Sequence, residues 1–249
     1  MKQFISLVVL FFLAADRTQA QDFVTRGKIE YEIKRNNKRM YDDEDRSSSP
    51  FIASLPEFDV SYRELLFAWD RSVYQPGRKA LTPSRYLNEN EVYLDLEKKE
   101  AVSKRRFFDD YYVLADSVHE IKWKFENETR KIAGWQCRKA VGRIHDSVYV
   151  VAFYCPEIIP QGGPEMFSGL PGMILGLAVP RWYTTWFATR IEIASIDESK
   201  IVPPAVKKGK SYTKNELAEV LLKKYKEAGW WKDATRDKVA ESISNYLIY

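Results

Sequence analysis

The side chains best suited to acid–base or nucleophilic chemistry are scarce in this sequence. It holds two histidines, His119 and His145, and two cysteines, Cys137 and Cys155. Neither histidine adjoins a nucleophile motif, and the sequence has no G-x-S-x-G, no H-E-x-x-H and no phosphate-binding glycine loop. The sequence therefore predicts no catalytic residue, no cofactor and no metal site, and it favours a protein that is not an enzyme.

A pair of carboxylates is the catalytic arrangement that a sequence leaves open, because acids distant along the chain can meet in space. The acids to consider are Asp109, Asp110, Glu157 and Glu165, although solvated surface acids explain the same pattern. The acidic run at 42–45 lacks the spaced ligands and turn glycine of a calcium loop. A hydrolase with an unrecognised carboxylate site is kept as an alternative function.

The two cysteines predict a disulfide. If the chain between them forms a hairpin that turns at Asp146, Cys137 lies directly opposite Cys155. Directly opposed residues of antiparallel strands have Cα atoms roughly 4.5–5.5 Å apart, a distance that a disulfide bridges. The alternative is a metal site shared with His145, but two cysteines and one histidine make a poor zinc set.

The first 20 residues have the pattern of a secretory signal peptide. Lys2 precedes an apolar run from Phe4 to Ala15, and small residues end at Ala20. That run is shorter than the roughly 20 residues that span a bilayer, which leaves an uncleaved anchor as the less favoured alternative. We expect cleavage after Ala20, a mature protein in the periplasm or the medium, and hence a compartment that permits disulfides. No later segment predicts a transmembrane helix.

The charge of the chain excludes one large class of partner. Its 39 basic and 35 acidic residues give a formal net charge of +4. Nucleic-acid-binding domains carry a clustered basic excess, whereas the densest basic run before the C-terminal region is the short Lys104–Arg106. We therefore expect no nucleic-acid partner.

The elements that must position these residues are mostly strands. Residues 21–204 alternate apolar and polar side chains in short runs, as at Ile29, Tyr31 and Ile33, which is typical of half-buried antiparallel strands. The sequence predicts an α+β fold: an antiparallel β meander, as a curved sheet, open barrel or sandwich, with two C-terminal helices in 205–249. Thr213 and Glu216 have capping-box spacing at the start of the first helix, and we expect both helices to dock on the sheet.

Two rigid corners stand out near the end of the β region. Gly163-Pro164 and Gly169-Leu170-Pro171-Gly172 each force a bend and are followed by the apolar run 173–175. One interpretation is a turn that leads into a buried strand. The other is a fixed loop presented to a partner or ligand, with Gly163, Pro164, Gly169, Leu170, Pro171 and Gly172 as its binding residues.

Several segments together resemble the GLPGLI family of exported bacterial proteins, which is common in the Bacteroidetes. The matching segments are 132–140, Ala152-Phe153-Tyr154, Gly163-Pro164 and Gly169–Leu175. The chain departs from the family pattern at Met173, where the family name has Leu, and at Cys155, which favours a disulfide particular to close relatives. The resemblance implies no established activity. It associates the chain with accessories of outer-membrane transport systems.

Three functions follow as hypotheses. The leading one is a non-enzymatic envelope protein that binds a partner, such as an outer-membrane transporter or receptor, or a small ligand. The second is a periplasmic carrier that holds an apolar ligand in a curved β-sheet, and the third is the hydrolase. Copurifying lipid would favour the carrier, whereas a crosslinked receptor would favour the accessory.

Overall fold

A single large sheet dominates the computed structural model, which describes residues 23–41, 47–81, 90–144, 147–193, 195–205 and 211–247. Its strands are β1 (Arg26–Asn36), β2 (Phe58–Ala68), β3 (Arg71–Pro76), β4 (Glu91–Asp95), β5 (Glu100–Phe107), β6 (Asp110–Ser117), β7 (Lys124–Ile132), β8 (Trp135–Ile144), β9 (Val148–Cys155), β10 (Met173–Val179), β11 (Thr184–Glu192) and β12 (Ser211–Tyr212). The signal peptide, the acidic run and His145 lie outside the described residues.

Two meanders meet at β1 to form this sheet. The strand order is β12-β6-β5-β4-β3-β2-β1-β11-β10-β9-β8-β7, and every pair is antiparallel except β12 with β6. The predicted antiparallel β fold is thus confirmed. The sheet is open and larger than a simple meander, because β1 pairs with β11 as well as with β2 and so joins the two halves.

The sheet is strongly curved at its β7 end. Arg130 on β7 places its guanidinium 4.9 Å from the ring centre of Phe187 on β11, although three strands separate β7 from β11. Alternation then divides the side chains: Ile29 and Tyr31 of the central strand are fully buried, whereas Lys28 and Glu64 of neighbouring strands pair on the other face. The concave face therefore carries the main core.

The α-helices whose bounds lie within the described residues are α1 (Asn37–Met40), α2 (Pro50–Ala53), α3 (Lys214–Glu227) and α4 (Arg236–Leu247). The capping box of α3 is confirmed, because Thr213 Oγ1 accepts from the Glu216 amide and Glu216 Oε2 accepts from the Thr213 amide. Leu217, Leu221 and Ile243 belong to the same buried cluster as the concave face. The helix α3 contacts β6, where Lys224 pairs with Asp110, and α4 packs on α3. Docking of both helices on the sheet stays a prediction.

The alternation of Ile121, Trp123 and Phe125 predicts a strand over 119–125 with these three side chains on one face, and a further strand that begins at Lys131. The first of these strands is misplaced: only Lys124 and Phe125 belong to β7, which continues to Ile132. β7 is an edge strand with mostly exposed, charged side chains. Such a strand has no buried face, so it lacks the hydrophobic alternation that reveals strands in a sequence.

Candidate functional site

The residues proposed as a partner-binding loop lie mostly inside the protein. We call residues 161–172 the GLPG segment; within it, Gly163, Pro164, Leu170 and Gly172 are buried, whereas Gly169 and Pro171 are exposed. Leu170 is 0% exposed. This burial favours the interpretation of the motif as a turn that leads into a buried strand. It disfavours a binding loop that presents Leu170, since a fully buried side chain cannot contact a partner.

Gly172 seats the GLPG segment against strand β9. Its φ is +137°, and a Cβ atom there would lie 2.2 Å from the carbonyl oxygen of Cys155, so only glycine fits. The Gly172 amide donates to the Leu170 carbonyl at 2.7 Å, which closes a three-residue turn around Pro171. The sequence Pro171-Gly172 also suits a type II turn, but the hydrogen bond that closes such a turn is absent, because the Met173 amide donates to the Ile158 carbonyl instead.

The GLPG segment also reaches across the concave face to β5. Glu165, with a strained φ of +53°, places a carboxylate oxygen 3.2 Å from Arg105, and both side chains are almost fully buried. Nearby, burial raises the pKa of Tyr74 well above its usual range, and the charge of Glu165 raises it further. A buried ion pair thus holds a strained residue of this segment against a distant strand.

A third contact joins the GLPG segment to residues 119–123, which we call the groove segment. The Trp123 indole Nε1 donates to the Ser168 carbonyl at 3.0 Å. The groove segment packs on Gly142 of β8, where an added Cβ would lie 2.9 Å from both Ile121 and Trp123. The predicted shared face of Ile121 and Trp123 is therefore confirmed, although this stretch is not a strand.

An open groove lies beside this contact, and we call it the charged groove. It is lined by residues 119–122, Lys124 and Glu126 on one side and by residues 141–144 and Tyr149 on the other. Its volume is about 660 Å³, within the roughly 300–1,000 Å³ of small-molecule sites. The last residue of β8 that pairs with β7 is Val141, so the edge of β8 is open to the groove at residues 142–144.

The acidic side chains of the charged groove already have cationic partners outside it. Glu120 lies 3.3 Å from Lys99, and Glu126 lies 3.1 Å from Lys139. His119 Nε2 lies 3.4 Å from Asp116. Burial opposes the charge of Asp116, but the interaction with His119 and the hydrogen bond from the Ser117 amide outweigh it and lower the pKa of this carboxyl. Both acids of the groove thus have a cationic partner, although Lys139 also pairs with Glu128, whereas the basic Lys122, Lys124 and Arg143 have no ion pair among the described residues.

Sequence reasoning did not find this groove. Lys122, Lys124 and Arg143 come from two separate stretches that meet only because β7 returns along β8. The signal that was available is the alternation in 121–124, which places two lysines opposite Ile121 and Trp123. Its weakness is that isolated lysines are typical of any solvated face.

The cysteines lie where the hairpin register predicts. Arg138 pairs with Tyr154, which places Cys137 opposite Cys155, and both are buried free thiols. The hydrogen bond between the two thiols raises the pKa of Cys137 and lowers that of Cys155. The register is confirmed, and the disulfide stays a prediction.

Three of the four acids proposed for a hydrolase have cationic partners in the described chain. Asp110 pairs with Lys224 of α3, Asp109 with Arg106, and Glu165 with Arg105. The part of the chain that the structure describes contains no group of three His, Cys, Asp or Glu residues that could hold a metal ion. Within the same residues, no helix is both long and apolar enough to cross a membrane.

Comparisons with known proteins find one family model that matches a short stretch in the central part of the chain. A family model described as a protein of unknown function (Porph_ging), a Bacteroidetes-associated domain, matches residues 142–176. This range runs from the floor of the charged groove through the GLPG segment into β10. No curated protein matches the chain.

Solved structures of PNGF-II match this chain at low sequence identity. The structure in space group P21 has a TM-score of 0.51 at 14% identity over 76% of this chain, and the one in C2 has 0.49 at 14% over 71%. This chain spans only 31% and 29% of those PNGF-II chains. An uncharacterized conserved protein from Thermus thermophilus matches at a TM-score of 0.39 and 6% identity, over 83% of this chain and 99% of that one.

Proposed function

We propose that this chain is an exported cell-envelope protein that binds a ligand in the charged groove and does not transform it. The observation that carries the proposal is the groove itself: about 660 Å³ of open space beside a strand edge that, among the described residues, no other strand covers. Its walls combine the apolar Ile121, the aromatic Tyr149 and several charges. Ligand sites combine apolar walls with a few polar groups in this way.

The export half of the proposal rests on the leader at 1–20, and the finer family assignment rests on the motif at 169–175. We include membership of the GLPGLI type in the proposal, together with a role beside an outer-membrane transport system. The burial of the GLPG segment supports a structural role for the motif. The Ser168 carbonyl of this segment accepts a hydrogen bond from Trp123, and the residues next to Trp123 form one wall of the groove.

The test is capture from native envelopes. Tagged wild-type protein and a Tyr149→Ala variant are recovered under mild conditions, and mass spectrometry identifies bound proteins and lipids. Tyr149 is 44% exposed, so its truncation leaves the fold intact while it removes one wall of the groove. Phe58→Ala, at a residue 46% exposed on β2, is the matched control.

We expect at least one ligand or partner that copurifies with wild type and with Phe58→Ala but not with Tyr149→Ala. Recovery that is identical for all three proteins would contradict the groove as the binding site. N-terminal sequencing of the same preparation checks export, which requires a mature chain that begins at Gln21 rather than Met1.

A further inference from the structure

The three basic side chains of the charged groove are Lys122, Lys124 and Arg143, and all three are exposed. None of them makes an ion pair with another described residue, whereas both acids of the groove are held by Lys99 and Lys139. Although Lys139 is shared with Glu128, three basic side chains without an ion pair face two acids that each have a cationic partner, so the local balance favours an anion. Exposed cations that converge on a concave surface raise the local concentration of anions.

The chemistry of the three cations indicates which anions they can bind. Arg143 offers a planar fork of donors that matches a carboxylate or phosphate bidentately. The two lysines, one on the groove segment and one at the start of β7, add mobile point charges on the facing side. Such a set recognises one compact acidic group that lies between the two walls.

The lining of the groove also includes apolar side chains, which favour a ligand that has an apolar part besides its acidic group. Tyr149 is the cross-strand partner of Arg143 on β9, so the two side chains leave the sheet on the same face. Ile121 and Ile144 line the same groove. A hydrophilic anion such as free phosphate would leave this surface uncovered, whereas an acid with an apolar body would cover it and so remove apolar area from water.

We infer that the charged groove binds amphiphilic organic anions, in which a carboxylate or phosphate lies among Lys122, Lys124 and Arg143 and an apolar body lies along Ile121 and Tyr149. This inference rests on the proposed function and narrows it to a class of ligand. Fatty acids and phosphorylated lipids share this chemistry, and the arms of the experiment distinguish the two.

The test is calorimetric titration of the purified protein with decanoate, decyl phosphate, inorganic phosphate and decyltrimethylammonium, all below their micelle concentrations. We expect saturable binding of at least one decyl anion, at least tenfold weaker binding of inorganic phosphate, and no binding of the cation. Decanoate binding without decyl phosphate binding assigns a carboxylate source, and the converse assigns a phosphate source. Binding of the cation as tight as that of the anions would overturn the inference.

The variants address the residues directly. Lys122→Gln combined with Arg143→Gln should weaken the bound decyl anion at least tenfold. Lys200→Gln combined with Arg190→Gln removes the same charge at exposed positions outside the groove and should change affinity less than twofold. If both double variants lost the same affinity, the effect would come from net charge alone, and the proposed site would be rejected. A Tyr149-dependent ligand in the envelope capture, with no decyl anion bound, would leave the proposed function standing and reject only the anionic class.

Discussion

The GLPG segment and the groove segment lie in contact, yet they differ in almost every physical property. The first is buried, and its one charged side chain faces Arg105. The second is partly exposed, is not part of a strand and carries one lysine, Lys122, that has no ion pair among the described residues. The more distinctive sequence is therefore the scaffold, and the less distinctive one forms the wall of the candidate binding site.

This difference shows how a motif can be specific for structural reasons. Each residue type of the GLPG segment satisfies a local demand: Gly172 avoids a backbone collision, Pro171 presets the turn, and Leu170 fills the core. A ligand makes weaker demands on exposed lysines, which several positions could supply. The predictions below test whether one region supports the fold and the other supports binding.

The largest effect is expected from Gly172→Ala. The new Cβ would lie 2.2 Å from the Cys155 oxygen and 2.7 Å from its carbon, so two backbone segments must separate. We expect a loss of more than about 4 kcal/mol in the free energy of unfolding, at the extreme of single substitutions. Urea or thermal denaturation measures it.

Gly169→Ala is the matched control in the same motif. Gly169 also has a positive φ, of +87°, but the nearest atom to an added Cβ is Trp123 Nε1 at 3.8 Å. Only backbone strain of roughly 1–2 kcal/mol should appear. Equal losses at the two glycines would show that the close contact with β9 is not what makes Gly172 special.

Glu165→Gln should follow in size. It removes the negative charge that faces buried Arg105 at 3.2 Å, and breaking a buried pair in this way costs roughly 3–5 kcal/mol. Adding Arg105→Met should recover part of the loss, because an apolar side chain no longer needs the charge. Glu157→Gln, at a partly exposed acid that has no ion pair among the described residues, should leave stability within about 0.5 kcal/mol. A double variant as unstable as the sum of both single ones would argue against direct pairing.

Leu170→Ala separates the two interpretations of the motif. Because Leu170 is fully buried, truncation should cost roughly 2–5 kcal/mol. Leu81→Ala, at a fully exposed leucine, should cost less than about 0.5 kcal/mol. Ligand recovery in the envelope capture should stay normal for folded Leu170→Ala protein. A normal melting curve with lost recovery would restore the partner-binding interpretation.

The predicted Cys137–Cys155 bond lies under the same turn, since Gly172 packs on the Cys155 carbonyl. A disulfide that closes a loop of about 18 residues should stabilise by roughly 3 kcal/mol. Peptide mapping without reduction should show the two tryptic fragments joined in exported protein, and reduction should lower the melting temperature. Two free thiols in periplasmic protein would contradict the bond but not the register.

The sequence predicted those parts of the fold that depend on residues close together along the chain. The alternation at 29–33, the capping box at Thr213 and the hairpin register about 146 each need only neighbouring residues or one turn. The type II turn that Pro171-Gly172 favours does not close, although Gly172 does have a positive φ. The pairing of β1 with β11 was not predicted, because strands far apart along the chain carry no sequence record of each other.

The candidate site was the least predictable part for a related reason. The charged groove forms where residues 119–122 meet 141–144 across a hairpin whose first strand has no apolar face. Likewise, nothing local reveals that Glu165 reaches Arg105 or that Trp123 reaches Ser168. The sequence instead drew attention to glycines and prolines, whose constraints are visible locally whether they support a fold or a site.

The smallest effect on stability, and the most informative one, is expected from Trp123→Phe. The change keeps a ring against Gly142 but removes the hydrogen bond to the Ser168 carbonyl, at a cost of roughly 0.5–1.5 kcal/mol. Without that bond the groove segment loses its fixed distance from the GLPG segment, so we expect weaker binding of the decyl anion as well. Trp69→Phe, at a tryptophan 55% exposed in the turn between β2 and β3, should change neither property.

A stability loss with unchanged affinity would mean that packing on Gly142 alone positions the groove wall. Unchanged stability together with reduced affinity would instead place Trp123 in the binding site itself, so that it would contact the ligand rather than support the groove wall.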